Sequence, residues 1–391
     1  MKAVRGAAPG SAEEAAGLLR EAAGRTPSGD GGAGGVRFVG GGTKLGWGTP
    51  AASSGELSTR GLSTILEHNA SDLTAVLEAG VPLGEAQRTF AAAGQMLSLD
   101  PPDAGGATIG GVFATGDAGP LRHRYGGPRD LVLGMRVALA DGTVARSGGR
   151  VIKNVAGYDL AKLFCGAFGT LGLVLEVVVR LHPLPPRRAT AVGTSDDPNA
   201  LQAAALAVGR APLELESFDV RWDRNEGTLL ARAAGVAPED RAREAARLMA
   251  SAGLRADVVD HDDAGMWDAQ RAGQRAAGGA GAVLRVSAVR SELARTLLAA
   301  RRADASIIGR AGLGLSWLTL PEADEDALVA AIVAIRRDLA PRPCALQDAP
   351  EAVRARAGVW PQDPAEALMR AVKARFDPNG VCNPGIFAGG I

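Results

Sequence analysis

Three glycine-rich segments in the first half of the chain limit its fold most strongly. They are Gly40-Gly41-Gly42-Thr43-Lys44, Pro101–Gly111 and Gly157–Gly172. The first follows the apolar run Val36–Val39 and reads as the tight turn after a strand. Without Cβ, its glycines let backbone N–H groups approach an anion, and successive amides form a concavity for one. A plain hairpin turn fits the same stretch equally well. The second, Pro101-Pro102-Asp103-Ala104-Gly105-Gly106-Ala107-Thr108-Ile109-Gly110-Gly111, leads into a short helix-like stretch whose free amides would suit a phosphate. The third runs through Gly166-Ala167-Phe168-Gly169-Thr170-Leu171-Gly172 into a strand. Each alone reads as a loop. Three in one domain point to a phosphate-bearing ligand.

Between these segments the pattern is mixed helix and strand. Residues 11–24 read as a helix with Ser11 as N-cap and Glu14 three positions on. Thr64–Glu67 and Leu73–Glu78 read as strands around the turn His68–Asp72, and Pro82 with Gly94 brackets a helix. Leu97–Asp130 is dense in Gly and Pro, and connections of that length in compact domains are usually functional. Leu131–Ala138 and Thr143–Arg146 flank the hairpin signal Ala140-Asp141-Gly142. A helix near Tyr158–Phe164 precedes the strand Leu173–Leu181, and His182-Pro183-Leu184-Pro185-Pro186 ends this unit.

Residues 187–345 lose the glycine loops. Strand-like runs (Glu214–Val220, Ala282–Val286, Leu315–Leu320) alternate with amphipathic helices (Asp240–Ala252, Ser291–Ala303, Glu325–Leu339). That pattern predicts an antiparallel sheet with helices on one face. The tail is a helix, Ala365–Phe376, then the turn Asp377–Gly380 and Asn383-Pro384-Gly385.

Composition excludes several partners. In 391 residues, 43 Lys and Arg balance 43 Asp and Glu, so no net field draws nucleic acid or an anionic membrane. Met1–Gly10 lacks the apolar core of a secretory signal, and Leu171–Val179, interrupted by Glu176, is far short of a membrane span. A cytoplasmic chain with no transmembrane segment is expected. Cys165, Cys344 and Cys382 are widely separated with no CxxC pair, which argues against disulfides or an iron–sulfur cluster held by this chain alone. Gly29-Asp30-Gly31-Gly32-Ala33-Gly34 has the spacing GxGxxG, but it follows a Thr-Pro-Ser linker and precedes a strand. A dinucleotide fingerprint requires the reverse order. Paired carboxylates occur only in solvated runs such as Glu322–Asp326, and no nucleophile triad, P-loop or metal motif is present.

The run Pro101–Pro183 resembles the flavin-binding half of PCMH-type FAD proteins of the vanillyl-alcohol-oxidase superfamily. It is most similar to the FAD-binding E-subunit family of bacterial glycolate oxidases. The resemblance is carried by Ala107–Gly111, Ala118-Gly119-Pro120-Leu121-Arg122, Val151-Ile152-Lys153-Asn154-Val155-Ala156-Gly157-Tyr158-Asp159-Leu160 and Gly169–Glu176. It spans roughly residues 36–185, returns at Asp377–Gly385 and is weak between. It implies an α+β fold: a two-part PCMH-type FAD-binding domain over 1–186, an α+β cap or substrate-type domain over 187–345, and 346–391 returning to the first.

The same resemblance implies that Gly40, Gly41, Gly42, Thr43 and Lys44 hold the FAD diphosphate together with Ala107, Thr108, Ile109, Gly110 and Gly111, with Pro102 beside them. Ala114, Thr115 and Gly116 would line the isoalloxazine, Gly172 and Val174 the adenosine side, and Asn383 would return to the flavin pocket. Many relatives attach FAD through a His in the first glycine loop. Here that loop carries Thr43 and Lys44, and no Cys lies near Pro101–Gly111, so the FAD is expected to be non-covalent.

Relatives that oxidise 2-hydroxy acids use clustered His residues for base and metal roles. This chain has His68, His123, His182 and His261, none paired at ligand spacing, so no metal is expected. His182 before Pro183 reads as structural, and His261 as part of a solvated acidic turn. His123 alone is placed near a flavin, between Arg122 and Arg124. Those arginines would stabilise a reduced flavin or bind a substrate carboxylate, or else fix the loop as a surface pair.

The implied function is an FAD-binding subunit of a complex oxidising glycolate or a similar small 2-hydroxy acid. Its partners would be a homologous FAD-linked catalytic subunit and an iron–sulfur subunit, with the complex cytoplasmic or peripheral to the inner membrane. A self-sufficient oxidoreductase of another alcohol or hydroxy acid, and a structural subunit with idle or absent FAD, are the rivals.

Overall fold

A computed structural model describes residues 5–24, 35–102, 105–150, 158–276 and 281–391. The GxGxxG stretch and Val151–Gly157 therefore lie outside the described residues, as do Asp103 and Ala104. Two compact units result: Met1–Ala118, Gly126–Leu184 and Gln362–Ile391 in the first, Gly119–Tyr125 and Pro185–Pro361 in the second.

The first unit is built on a five-stranded antiparallel sheet in the order Ile65–Asn69, Thr74–Glu78, Leu173–Arg180, Val132–Ala138, Val144–Gly148. Leu173–Arg180 sits at its centre. Six of its eight residues are buried, which explains its near-continuous apolar run. Leu77, Val137 and Val177 pack on one face with Phe90, Phe113 and Phe164. Leu173 and Leu175 pack on the other with Ala15, Ala16 and Leu19 of the helix Ala12–Ala23. That helix starts where the sequence places it: Ser11 Oγ accepts from the Glu14 amide at 3.1 Å, and the Glu14 carboxylate accepts from the Gly10 amide at 2.9 Å. A second sheet, order Arg5–Ala7, Gly55–Ser58, Val36–Val39, is parallel and ends at Gly40.

Some local expectations shift. The predicted turn His68–Asp72 is shorter, because His68 and Asn69 pair with Ala75 and Thr74 as strand residues. The connection Leu97–Asp130 contains the helices Ile109–Thr115, Arg122–Tyr125 and Pro128–Leu131. The helix expected near Tyr158 is only Ala161–Phe164, and Tyr158 is fully exposed.

The second unit holds an eight-stranded antiparallel sheet. Its order is Arg255–Val259, Arg187–Ser195, Glu226–Gly235, Ser217–Asp223, Ser306–Arg310, Leu315–Leu320, Ala282–Ser287, Cys344–Asp348. Leu201, Met249, Leu297 and Ile332, from four helices, pack with Ala189, Phe218, Trp222 and Leu284 into one core. A fifth helix, Ala264–Ala272, lies on the opposite face. Its Trp267 Nε1 donates to Thr190 Oγ1 at 3.0 Å, and its Gln270 Nε2 donates to Asp219 Oδ2 at 3.0 Å. Thr190 and Asp219 alternate with strand neighbours that belong to the core, so they face away from it. On that face Asp219 forms an ion pair with Arg310 at 2.6 Å, both side chains wholly buried, and Arg188 and Arg232 share the Glu216 carboxylate.

Candidate cofactor site

In the first unit the three glycine-rich segments do converge. They line a cleft of about 790 Å³ together with Asn383 and Ile386 from the C-terminal segment. The strand Val36–Val39 delivers the Gly40–Lys44 loop, and glycine is required there by close approach. A Cβ on Gly41 would sit 1.8 Å from the Gly106 carbonyl oxygen, and one on Gly40 would sit 2.2 Å from Thr108 Oγ1. Arg60 donates to the carbonyls of Gly40 at 3.3 Å and Gly41 at 3.4 Å. The amides of Gly41 and Gly42 bond to no described residue. The loop therefore has its carbonyls engaged and keeps amides for an anionic ligand.

The second segment behaves differently. The Ile109 amide donates to Val81 O at 2.9 Å, the Gly110 amide to Ala79 O at 2.7 Å, and the Gly111 amide to Thr108 Oγ1 at 3.4 Å. These amides are not free for a phosphate, contrary to the sequence expectation. They tie the helix Ile109–Thr115 to the chain leaving Thr74–Glu78. Gly110 is glycine because a Cβ would lie 2.7 Å from Ala79 Cβ. Thr108, Gly110, Gly111, Ala114 and Thr115 still line the cleft, and Thr115 Oγ1 donates to Gly111 O at 2.8 Å.

Lys44 also lines the cleft, yet its charge is matched inside the protein. Its Nζ lies 3.3 Å from Asp117 Oδ2 and donates to Thr43 Oγ1 at 3.2 Å. Gly172 and Val174 line the wall formed by the third segment, with Phe168, Gly169 and Leu173. Pro102, Ala107 and Ile109 do not reach the cleft; all three are buried, and Ala107 and Ile109 belong to the apolar core. Gly116 ends the helix in the left-handed region at φ 67° and is likewise outside the lining. Phe38, Phe168 and Leu173 were missed, although each flanks a glycine segment. Ile386 carried no periodic signal.

Arg122, His123 and Arg124 form a short helix that groups with the second unit, and none lines this cleft. Arg122 is half-buried. Arg124 is exposed and donates to Glu214 O at 3.1 Å. His123 packs edge-on against Phe218, ring centroids 6.1 Å apart. Burial, then the charges of Arg124 and Arg290, push its pKa down and so favour the neutral imidazole. His68 Nε2 donates to Gln95 Oε1 at 3.0 Å, His182 Nδ1 is hydrogen-bonded to Ser98 Oγ at 3.0 Å, and the exposed His261 contacts Asp260. Burial raises the thiols of Cys165 to about 12 and Cys344 to about 11. Among the described residues no group of three or more His, Cys, Asp or Glu could hold a metal ion.

Residues 7–148 match the FAD binding domain, and residues 362–386 match the C-terminal domain of FAD linked oxidases. Glycolate oxidase subunit GlcE of Escherichia coli is 42% identical over 122 residues, 31% of this chain and 35% of that protein. Glycolate oxidase subunit GlcD of Bacillus subtilis is 37% identical over 170 residues, 43% of this chain and 36% of that protein. A D-2-hydroxyglutarate dehydrogenase of Xanthomonas citri is 34% identical over 231 residues, 58% of this chain and 47% of that protein. The chain thus spans between a third and a half of the length of these relatives. Among solved structures, p-cresol methylhydroxylase with substrate bound superposes with a TM-score of 0.74 at 17% identity, covering 97% of this chain and 87% of that one. An alkyldihydroxyacetonephosphate synthase gives 0.69 at 15% identity, covering 96% and 75%. These two show the fold.

Proposed function

We propose that this chain, an FAD-binding protein of the PCMH-type fold, is a flavin-carrying subunit of a complex that oxidises glycolate or a related 2-hydroxy acid. The observation that carries the reading is the cleft of the first unit. It offers the amides of Gly41 and Gly42, which bond to no described residue, and an apolar lining from Phe38, Ala114, Phe168, Leu173 and Val174. An elongated ligand with an anionic middle and flat, mostly apolar ends fits such a lining, and FAD has that character. The diphosphate would lie against the Gly40–Lys44 loop, with Ala114 and Thr115 beside the ring system and Gly172 and Val174 beside the adenosine. Bound there, FAD supplies the acceptor for a hydride from the substrate's α-carbon. The chain's own contribution is to bind and orient it and to exclude water with the apolar wall.

Similarity to proteins named as two subunits of glycolate oxidase supports a place in a complex with a homologous FAD-linked subunit. An iron–sulfur subunit is proposed as the further partner that takes the electrons onward. The second unit would then be the substrate-type domain. Among the described residues no helix is long and apolar enough to cross a membrane. We read this chain as accessory to that homologous flavin subunit, a reading supported by the four histidines, none of which lines the cleft. Anaerobic titration of the purified FAD-loaded complex with glycolate and D-lactate tests the proposal. Bleaching of the flavin band by either acid is expected; a flavin reduced by neither would end the 2-hydroxy acid reading.

A further inference from the structure

Asn383 joins two walls of the cleft. Its side-chain Oδ1 accepts from the Phe38 amide at 2.7 Å, and its Nδ2 donates to the Phe168 carbonyl at 2.6 Å. An acceptor facing an N–H and a donor facing a C=O fix the orientation of the amide. Its own backbone amide donates to Val36 O at 3.0 Å. The residue sits in the left-handed region, φ 41°, which Asn tolerates better than most side chains. Gly169 leaves the room: a Cβ there would lie 2.7 Å from Asn383 Nδ2.

The segment behind Asn383 is itself latched. Lys373 Nζ donates to Thr170 O at 2.6 Å, Cys382 O at 3.0 Å and Asp377 Oδ2 at 2.6 Å. The Asp377 carboxylate accepts from the amides of Val381 at 2.9 Å and Cys382 at 2.7 Å. Lys373 and Asp377 are 12% and 0% exposed, so this network is shielded from water.

We infer that Asn383 is a positioning residue that sets the spacing of the cleft through Phe38 and Phe168. One arm of its amide holds the strand that ends at the Gly40–Lys44 loop. The other holds the loop that carries Gly169 and Gly172. The role rests on reading the cleft as the FAD site.

The test uses the full-length apo chain, with amide hydrogen exchange at Phe38 and FAD affinity as separate readouts. In the wild type, Phe38 should be protected before FAD is added; an unprotected amide overturns the inference without any variant. Asn383→Gly suits the positive φ and removes both arms. It should expose the Phe38 amide in the apo chain and weaken FAD binding about tenfold, the loss expected for two modest hydrogen bonds. Asn383→Asp keeps the acceptor for Phe38 and loses the donor for Phe168, so protection should persist while affinity falls. Weaker FAD binding by the glycine variant with Phe38 protection unchanged would make Asn383 a direct ligand, and unchanged affinity in both variants would leave it no role. A wild-type chain that takes up no FAD would instead refute the cofactor assignment.

Discussion

Lys44 Nζ and Asp117 Oδ2 form a buried ion pair, 3.3 Å apart, with side chains 7% and 3% exposed. A lysine in a glycine loop invites the role of a phosphate-binding cation. Here its charge is already balanced, so the loop acts on an anion chiefly through its amides. Lys44→Met leaves the Asp117 carboxylate buried without its cation, at a cost of about 3–5 kcal/mol. The double variant Lys44→Met/Asp117→Asn should recover most of that loss. Urea unfolding of the apo proteins measures it. Additive single-variant effects would show that the two groups do not depend on each other.

Gly110 lines the cleft, but its Cα faces Ala79, where a Cβ would meet the Ala79 side chain at 2.7 Å and its carbonyl at 3.0 Å. Gly110→Ala should therefore destabilise the apo fold by about 1–3 kcal/mol, as overpacking does. At Gly111 the nearest atom to a Cβ is Thr108 Oγ1 at 3.3 Å. Gly111→Ala should leave apo stability nearly intact. Thermal melts of the two variants decide the matter, and equal melting temperatures would mean that the Ala79 contact imposes nothing.

Among the described residues, those lining the cleft include no His, Cys or Tyr. The expected attachment is therefore non-covalent. Acid or heat denaturation of the holoprotein should release all of its FAD into the supernatant. Yellow colour retained in the washed precipitate would contradict this.

The first unit was more legible in the sequence than the second, for a physical reason. Glycine segments and apolar strands mark positions where only one residue type or one face will serve, as at Gly41 against Gly106 and at Leu173–Arg180. In the second unit Arg187–Ser195 and Glu226–Gly235 are interior strands built largely from Ala, Arg, Gly and Thr. Their strand character comes from neighbours on both sides, which local propensity does not report. At the site, spacing found which segments converge but not where each amide points. The amides of Ile109 and Gly110 are taken by Val81 and Ala79, and only the long-range pairing reveals it. Arg60 and the Asn383 clamp were hidden for the same reason, since each acts on a backbone group far away in sequence or beyond the glycine loop.

His123 gives a pH dependence with a definite sign. Burial and the charges of Arg124 and Arg290 lower its folded pKa below the ordinary 6.5. As pH falls below about 6.5 the unfolded chain takes up the proton first, so this contribution to stability is complete above that pH and is lost below it. The stability gap between wild type and His123→Gln should shift against the wild type from about pH 7.5 to about pH 5. Parallel stability curves for the two proteins would show that the imidazole titrates alike in the folded and unfolded chain.

The accessory reading makes a kinetic prediction. Oxidising a 2-hydroxy acid requires a base for the α-hydroxyl proton, and an imidazole near its own pKa serves best at neutral pH. Here His68 and His182 are held by Gln95 and Ser98, His261 is an exposed neighbour of Asp260, and His123 packs on Phe218. None lines the cleft. A missing general base costs roughly 10²–10⁴-fold in rate, so the deficit should be plain. Dye reduction with glycolate or D-lactate should be negligible for the FAD-loaded chain alone and restored when the homologous flavin subunit and the iron–sulfur subunit are added. Turnover by the isolated chain equal to that of the complex would make it the dehydrogenase itself, with a base supplied by its own residues.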